Sequence, residues 1–240
     1  KNYISGIREA GMEFASRTDK GVSARGAAFS FLTNKKPILI EINTALPREI
    51  GLWKSCEVAE DFLSRYNAIY RHYKYIVPKS LDIFEHKDAL DIKSMKDACK
   101  ALQGRHDFKN FHKRGKKEEK TIRDMEEAKL SDDRNFLIFE FKSRAFLRQQ
   151  IRRMVKKIVE VGGGELNLEE FRGVMETEEY VSYQPADPEG LVLWNVKYDD
   201  SLQFTTEEKS KKRMLRFFRV QERKHGLKNK LFKALQQDDF

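Results

Sequence analysis

A carboxylate set between cations at a glycine turn, Arg17-Thr18-Asp19-Lys20-Gly21, is the stretch of this chain best equipped for chemistry. Side chains alternate faces in extended backbone, so Arg17 and Asp19 point one way and Thr18 the other. Gly21 lets the backbone turn and leaves Asp19 near an exposed strand-to-strand corner, ahead of an alternating apolar run at 28–32. Where water is excluded, such a carboxylate can act as nucleophile or base. A hairpin turn bearing a surface ion pair meets the same spacing, because Asp-Lys-Gly turns are common. Spacing alone leaves both readings open.

Two further segments carry side chains able to do chemistry. In Arg71-His72-Tyr73-Lys74-Tyr75, alternation places Arg71, Tyr73 and Tyr75 on one face of a strand. A strand tyrosine is commonly core, with its hydroxyl satisfied at an edge, or it presents its ring to a ligand. Arg148, Arg152 and Lys156 fall one turn apart on a helix expected over 146–161, beside Arg153 and Lys157. Cations near a helix N-terminus oppose the macrodipole and one another, at a cost of a few tenths of a kcal/mol each. A guanidinium there favours the charged form of a nearby carboxylate and aims it. The competing account is a solvated basic face.

Around these groups the pattern predicts mixed structure. Residues 1–10 read as the end of a helix stopped by Gly11, and 25–32, 52–58 and 69–77 read as strands. Asp91 caps a helix carrying Ile92, Met95, Cys99 and Leu102 on one face, with Gly104 as its stop. A hairpin follows over 121–130 and 135–141, turning at Asp132-Asp133. The 146–161 helix has Leu147, Ile151, Met154, Val155 and Ile158 as its apolar stripe. Asn167 and Glu170 form a capping box for the next helix, 191–198 is a last strand, and the basic tail is a final helix. No linker divides the chain. Two loosely similar halves, 1–88 with the Asp19 turn and 89–200, precede a basic tail at 201–240. The mixture argues an α+β fold, an antiparallel sheet with helices on one face.

Composition narrows the function class. A chain of 240 residues can bury a sizeable core. It has no apolar stretch long enough to span a bilayer and no secretory signal, which points to the cytoplasm. Cys56 and Cys99 are far apart and no CxxC pair exists, so reduced thiols are expected, with no disulfide and no metal site. The net charge of +9 is unevenly placed. Residues 142–157 hold seven cations and no acid, and residues 209–233 hold eleven against Glu222 alone, whereas in 160–189 Arg172 is the single cation. Sorting by sign points to a polyanion held on particular faces, through phosphate contacts that supply affinity without sequence choice.

The residues themselves add a resemblance. Ser16-Arg17-Thr18-Asp19-Lys20-Gly21-Val22-Ser23-Ala24 resembles the active-site segment of the TruA-type tRNA pseudouridine synthases, in its archaeal and eukaryotic style. Asn43-Thr44-Ala45-Leu46-Pro47, Phe62 through Tyr75, Gly104-Arg105-His106-Asp107-Phe108, Phe146-Leu147 through Arg152, and Pro188-Glu189-Gly190-Leu191 resemble the same family in the same order. Each motif is weak alone; their order over about residues 5–200 is specific. The chain departs from the family in beginning close to the Asp19 segment, where the family carries a strand and most of a helix.

The resemblance implies two halves sharing a continuous, mainly antiparallel sheet, with an RNA-binding cleft between them. It implies isomerisation of uridine in the anticodon stem-loop of tRNA, around positions 38–40, by a homodimer. Asp19 becomes the catalytic carboxylate, Arg152 its guanidinium partner, and Tyr73 the ring that stacks on the target uracil. The reaction breaks an N-glycosidic bond and rejoins the base through carbon, with no redox step or group transfer, so no cofactor is called for. Leu147 either closes the uracil pocket or packs in the core. Arg17 and Arg25 either contact the flipped nucleotide or lie on the surface, as Arg148, Lys156 and Lys157 do for phosphates. His106 and Asp107 form a turn, and the Lys113-Arg114 and Lys116-Lys117 loop is RNA contact or solvated surface. A non-catalytic tRNA-binding or chaperone protein keeping the same cleft is the alternative; a helix-in-groove DNA binder lacks any matching motif.

Overall fold

A computed structural model describes residues 10–79, 90–115 and 120–236. The helix expected before Gly11 and the Lys116-Lys117 pair lie outside the described residues. In chain order the elements are β1 (Glu13–Phe14), β2 (Ser23–Ala24), β3 (Phe29–Ser30), α1 (Leu39–Ala45), β4 (Lys54–Ser55), β5 (Tyr70–Pro78) and α2 (Ile92–Ala101). They continue as β6 (Gly104–Asp107), β7 (Ile122–Asp133), β8 (Phe136–Ser143), α3 (Gln150–Gly163), α4 (Leu168–Glu176), β9 (Leu191–Lys197), β10 (Thr205–Thr206) and α5 (Glu208–Ala234). The fold is α+β, as the pattern predicts. Among the described residues two compact units are distinguished: 13–30 with 63–79, 90–115 and 120–199, and 10–12 with 31–62 and 200–236.

The larger unit is built on a six-stranded sheet in the order β2-β9-β5-β8-β7-β6. Every pairing is antiparallel except that of β2 with β9. β5, central in this sheet, shows why the sequence folds this way. Arg71, Tyr73, Tyr75 and Val77 are buried while their alternate neighbours are not, so one face is committed to the interior. On β8, Leu137, Phe139 and Phe141 line the same interior, fully buried. Helices cover that face. α2 packs on β7 and on α3, with Met95, Ala98 and Cys99 inward.

Local signals set the helix starts. The Asp91 carboxylate accepts from the Ser94 backbone N–H at 2.9 Å, capping α2. Asn167 and Glu170 form a complete capping box at α4. Elsewhere the chain departs from its pattern. The strands expected at 25–32 and 52–58 shrink to two residues each; in the first, Arg25 and Gly26 both donate to Leu193 O and the backbone then leaves the sheet. The β7–β8 hairpin turns at Arg134-Asn135, not Asp132-Asp133, since Asp133 pairs with Phe136 and Arg134 takes a left-handed φ of 46°.

The helix expected from 146 begins at Gln150. Gln149 sits in the left-handed region at φ 61°, and the Arg148 carbonyl is taken by Lys113 N at 3.0 Å, so helical bonding starts only with Arg153 N to Gln149 O. Arg148 therefore precedes α3 and does not share a helix face with Arg152 and Lys156.

In the smaller unit, β4 and β10 pair antiparallel, and α1 meets the start of α5. Asn43 is the buried link: its amide donates to Leu52 O at 2.8 Å and to Ser210 Oγ at 2.9 Å, and its carbonyl accepts from Leu52 N.

Candidate active site

The Asp19 turn closes by a hydrogen bond from Val22 N to Asp19 O at 3.1 Å, with Gly21 at φ +87°. A positive φ at the third of four turn residues is the type II signature, and glycine meets it without strain. A Cβ on Gly21 would also lie 3.1 Å from Pro188 Cγ, so the turn rests directly on the 3-10 turn at Pro188–Gly190. The carboxylate is held from below. Asp19 Oδ2 accepts from Arg152 Nη1 at 2.9 Å. Among the described residues no donor meets its other oxygen.

Arg152 is fixed at both ends. Its Nε donates to Ala186 O at 2.7 Å, and its own carbonyl accepts from Ala186 N at 3.0 Å. The guanidinium sits in the first turn of α3, where the macrodipole disfavours a cation. The Asp19 charge and the Ala186 carbonyl offset that cost. Exposure is unequal: the Arg152 side chain is 10% exposed and the Asp19 side chain 35%. The pair thus opens on its carboxylate side, where a ligand would arrive.

Tyr73 forms a wall beside it. At the β5–β9 pairing the register slips between His72 and Tyr73, so Trp194 is the extra residue of a β-bulge. The Tyr73 hydroxyl shares a 2.8 Å hydrogen bond with Ser16 Oγ, and Phe146 stands edge-on to its ring at 5.2 Å between centroids. Burial pushes the Tyr73 phenol above its ordinary range, and the Asp19 charge adds to the push, against Ser16 and Arg71. The phenol is therefore neutral at physiological pH. Tyr75, next on the same face, donates to Asp187 O at 2.6 Å, and burial pushes it up to about 12. Gly190 lies against that ring so closely that a Cβ would sit 2.7 Å from a ring carbon.

Arg71, the third member of the face, ties these parts together. Its Nη2 donates to Ala15 O at 2.7 Å and to Arg65 O, and its Nη1 donates to Arg144 O. One buried guanidinium thus gathers the start of the Asp19 turn and the segment leading to Phe146. Alternation placed Arg71 with Tyr73 and Tyr75, but the task of a buried arginine among loop carbonyls has no sequence signature. Ser16 stands in the Asp19 motif, but nothing in its spacing announces its hydrogen bond to Tyr73. Arg153 is also buried, with its guanidinium 5.1 Å from the Tyr183 ring; among the described residues its Nε and Nη1 have no hydrogen-bond partner.

The structure therefore brings Asp19, Arg152 and Tyr73 into one cluster. Leu147 is buried, its N–H donating to Gln150 Oε1 at 2.8 Å. Arg17, on the Asp19 turn, and Arg148, ahead of α3, are exposed cations. Arg25 is not part of the cluster: it lies over Trp194 together with Lys74, on the opposite sheet face. Lys156 and Lys157 both pair with Glu160, at 3.5 and 2.7 Å. His106 and Asp107, expected in a turn, instead end strand β6, paired with Arg123 and Ile122, and the Asp107 carboxylate accepts from Lys109 N at 3.0 Å just beyond it.

Residues 98–199 match the family model for tRNA pseudouridine synthase. The chain is 35% identical to tRNA pseudouridine synthase A of Archaeoglobus fulgidus over 242 residues, covering 98% of this chain and 87% of that protein. It is 31% identical to the enzyme of the same name from Methanothermobacter thermautotrophicus, over 88% of this chain and 74% of the other. With the protein of that name from Methanosphaera stadtmanae it shares 32% identity over 95% and 82% of the two lengths. At these identities over most of its length, the chain that sets Asp19 on Arg152 beside Tyr73 belongs to the tRNA pseudouridine synthase family.

Proposed function

We propose that this chain isomerises uridine to pseudouridine in the anticodon stem-loop of tRNA, with Asp19 as the catalytic carboxylate. The observation that carries the reading is the 2.9 Å Arg152–Asp19 pair, opened on the carboxylate side next to a neutral, buried Tyr73. In the reaction the bond from C1′ to N1 breaks and one from C1′ to C5 forms. C5 gives up its proton and N1 gains one, so atoms and electrons balance within the nucleotide. No cofactor enters. Asp19 acts on the nucleoside as nucleophile or base, Arg152 holds it ionised and aimed, and the Tyr73 ring stacks on the uracil.

The target base must leave its stack first, at a cost of a few kcal/mol. Stacking on Tyr73, with Leu147 closing the other side of the pocket, offsets part of that cost. Arg17 and Arg148, both exposed, take phosphates near the flipped nucleotide in this reading. We read the working form as a homodimer acting in the cytoplasm, with one tRNA spanning both copies; sedimentation with and without tRNA measures the assembly.

The test is to incubate the protein with unmodified tRNA and map pseudouridine chemically. Product confined to the anticodon stem-loop, around positions 38–40, is expected. Binding of tRNA without any product would make the chain a non-catalytic tRNA binder.

A further inference from the structure

Helix α5 spans 27 residues, and none of them belongs to the Asp19 cluster. Residues that recur at alternating steps of four and three fall along one side of an α-helix. Lys212, Arg216, Arg219, Arg223, Lys230 and Lys233 follow that rule, and Gly226 occupies the single step without a side chain. All six are exposed. At 1.5 Å per residue the row is about 32 Å long. Among the described residues none of the six is held in an ion pair, and the one acid in 209–236 is Glu222.

Like charges one turn apart destabilise a helix by a few tenths of a kcal/mol per pair. Six in line gain nothing for the fold and repel a second copy of the same face. A polyanion removes the repulsion by displacing counterions along the whole row. We propose that this row is a phosphate-binding rail for the RNA substrate, adding affinity while leaving the choice of uridine to the Asp19 site. The proposal rests on the tRNA-modifying reading above and names a second contact surface for that substrate.

Two triple variants test it. R219Q/R223Q/K230Q removes three rail cations, and R213Q/K224Q/K228Q removes three exposed cations of the same helix that lie off the row. Glutamine keeps the helix propensity of lysine and arginine, and circular dichroism checks that α5 survives. Binding of unmodified tRNA is titrated against salt, and pseudouridine formation gives KM and kcat. Each lost phosphate contact flattens the slope of log K against log salt by about 0.7–0.9. The rail triple should therefore flatten it by about 2–3 and raise KM roughly tenfold or more, with kcat within about twofold. The off-row triple should change the slope by less than about 1.

Equal shifts in the two triples would reduce the effect to net charge and overturn the rail. So would an unchanged slope in the rail triple, or loss of self-association with tRNA binding intact. A wild-type chain that binds tRNA with a rail-dependent slope but forms no pseudouridine keeps the rail and sinks the enzymatic reading. Product with an unchanged slope does the reverse.

Discussion

Strand β5 has two faces that spend charge in opposite ways. On the inward face, Arg71, Tyr73 and Tyr75 are buried, and the Arg71 Nη atoms and both tyrosine hydroxyls meet a carbonyl or a hydroxyl of a loop. On the outward face, His72 and Lys74 share the Glu140 carboxylate at 2.8 and 3.3 Å, partly in water, and Lys74 also covers Trp194. Surface pairs of the second kind are worth about 0–1 kcal/mol, because solvent screens them and long side chains lose entropy. Buried polar groups of the first kind hold geometry, since any lost partner leaves a desolvated group unpaired. Loops that must present Asp19 within a fraction of an ångström are therefore hung from the inward face.

That contrast can be broken from either side. The largest effect is expected at Arg152. Arg152→Gln removes the partner of Asp19 and leaves the Ala186 carbonyl with one donor fewer. A loss of about 10²-fold or more in kcat/KM is expected, the scale on which oriented charge matters in active sites. Arg152→Lys should recover only part of it, because an ammonium cannot grip Ala186 and Asp19 together. Steady-state kinetics on tRNA reads both variants.

Arg71→Met comes next. It keeps the bulk but frees three loop carbonyls, so a destabilisation of about 2–4 kcal/mol is expected, measured by denaturant unfolding. Activity under fully folded conditions should fall through kcat more than KM, because the Asp19 turn and the Phe146 segment lose their common anchor. A variant as stable and active as wild type would remove Arg71 from its role.

The inward tyrosines also set a pH dependence. Tyr73 and Tyr75 are both raised above their ordinary value of 10, Tyr75 to about 12. Between those values the unfolded chain has released protons that the folded chain still holds. Stability must then fall as pH rises through that window, and the slope is set by the protons the folded state retains. Thermal unfolding from pH 9 to 12 should show the fall, and Tyr75→Phe should flatten it.

On the outward face the expected effect is smallest. Lys74→Ala removes one half-exposed ion pair and one cation over Trp194, so stability should drop by no more than about 1 kcal/mol and kcat/KM should stay within twofold. A larger loss of activity would mean that the two faces are not separable.

What the sequence made legible follows the same division. Alternation alone placed Arg71, Tyr73 and Tyr75 together, because strand period is a backbone property that tertiary context does not alter. The capping box at Asn167 and the Asp91 cap were equally local, and both are present. The start of α3 was not legible. Its apolar stripe runs back to Leu147, yet a carbonyl claimed by Lys113 and a left-handed Gln149 stop the helix at Gln150. Both causes lie outside any helical pattern. The Arg71 clasp escaped for a similar reason: its three acceptors are backbone carbonyls, and any residue type supplies one. The hairpin turn moved by two residues because pairing of Asp133 with Phe136 outweighed the turn preference of the aspartates.

The most direct measurement is single-turnover pseudouridine formation by Asp19→Asn at saturating tRNA, with the bound fraction measured in the same samples. Asparagine keeps the shape of the side chain and can still meet Arg152, but it offers no carboxylate. The account predicts tRNA binding within about threefold of wild type and a rate lowered by at least about 10³-fold. Product formed by Asp19→Asn at the wild-type rate would contradict it.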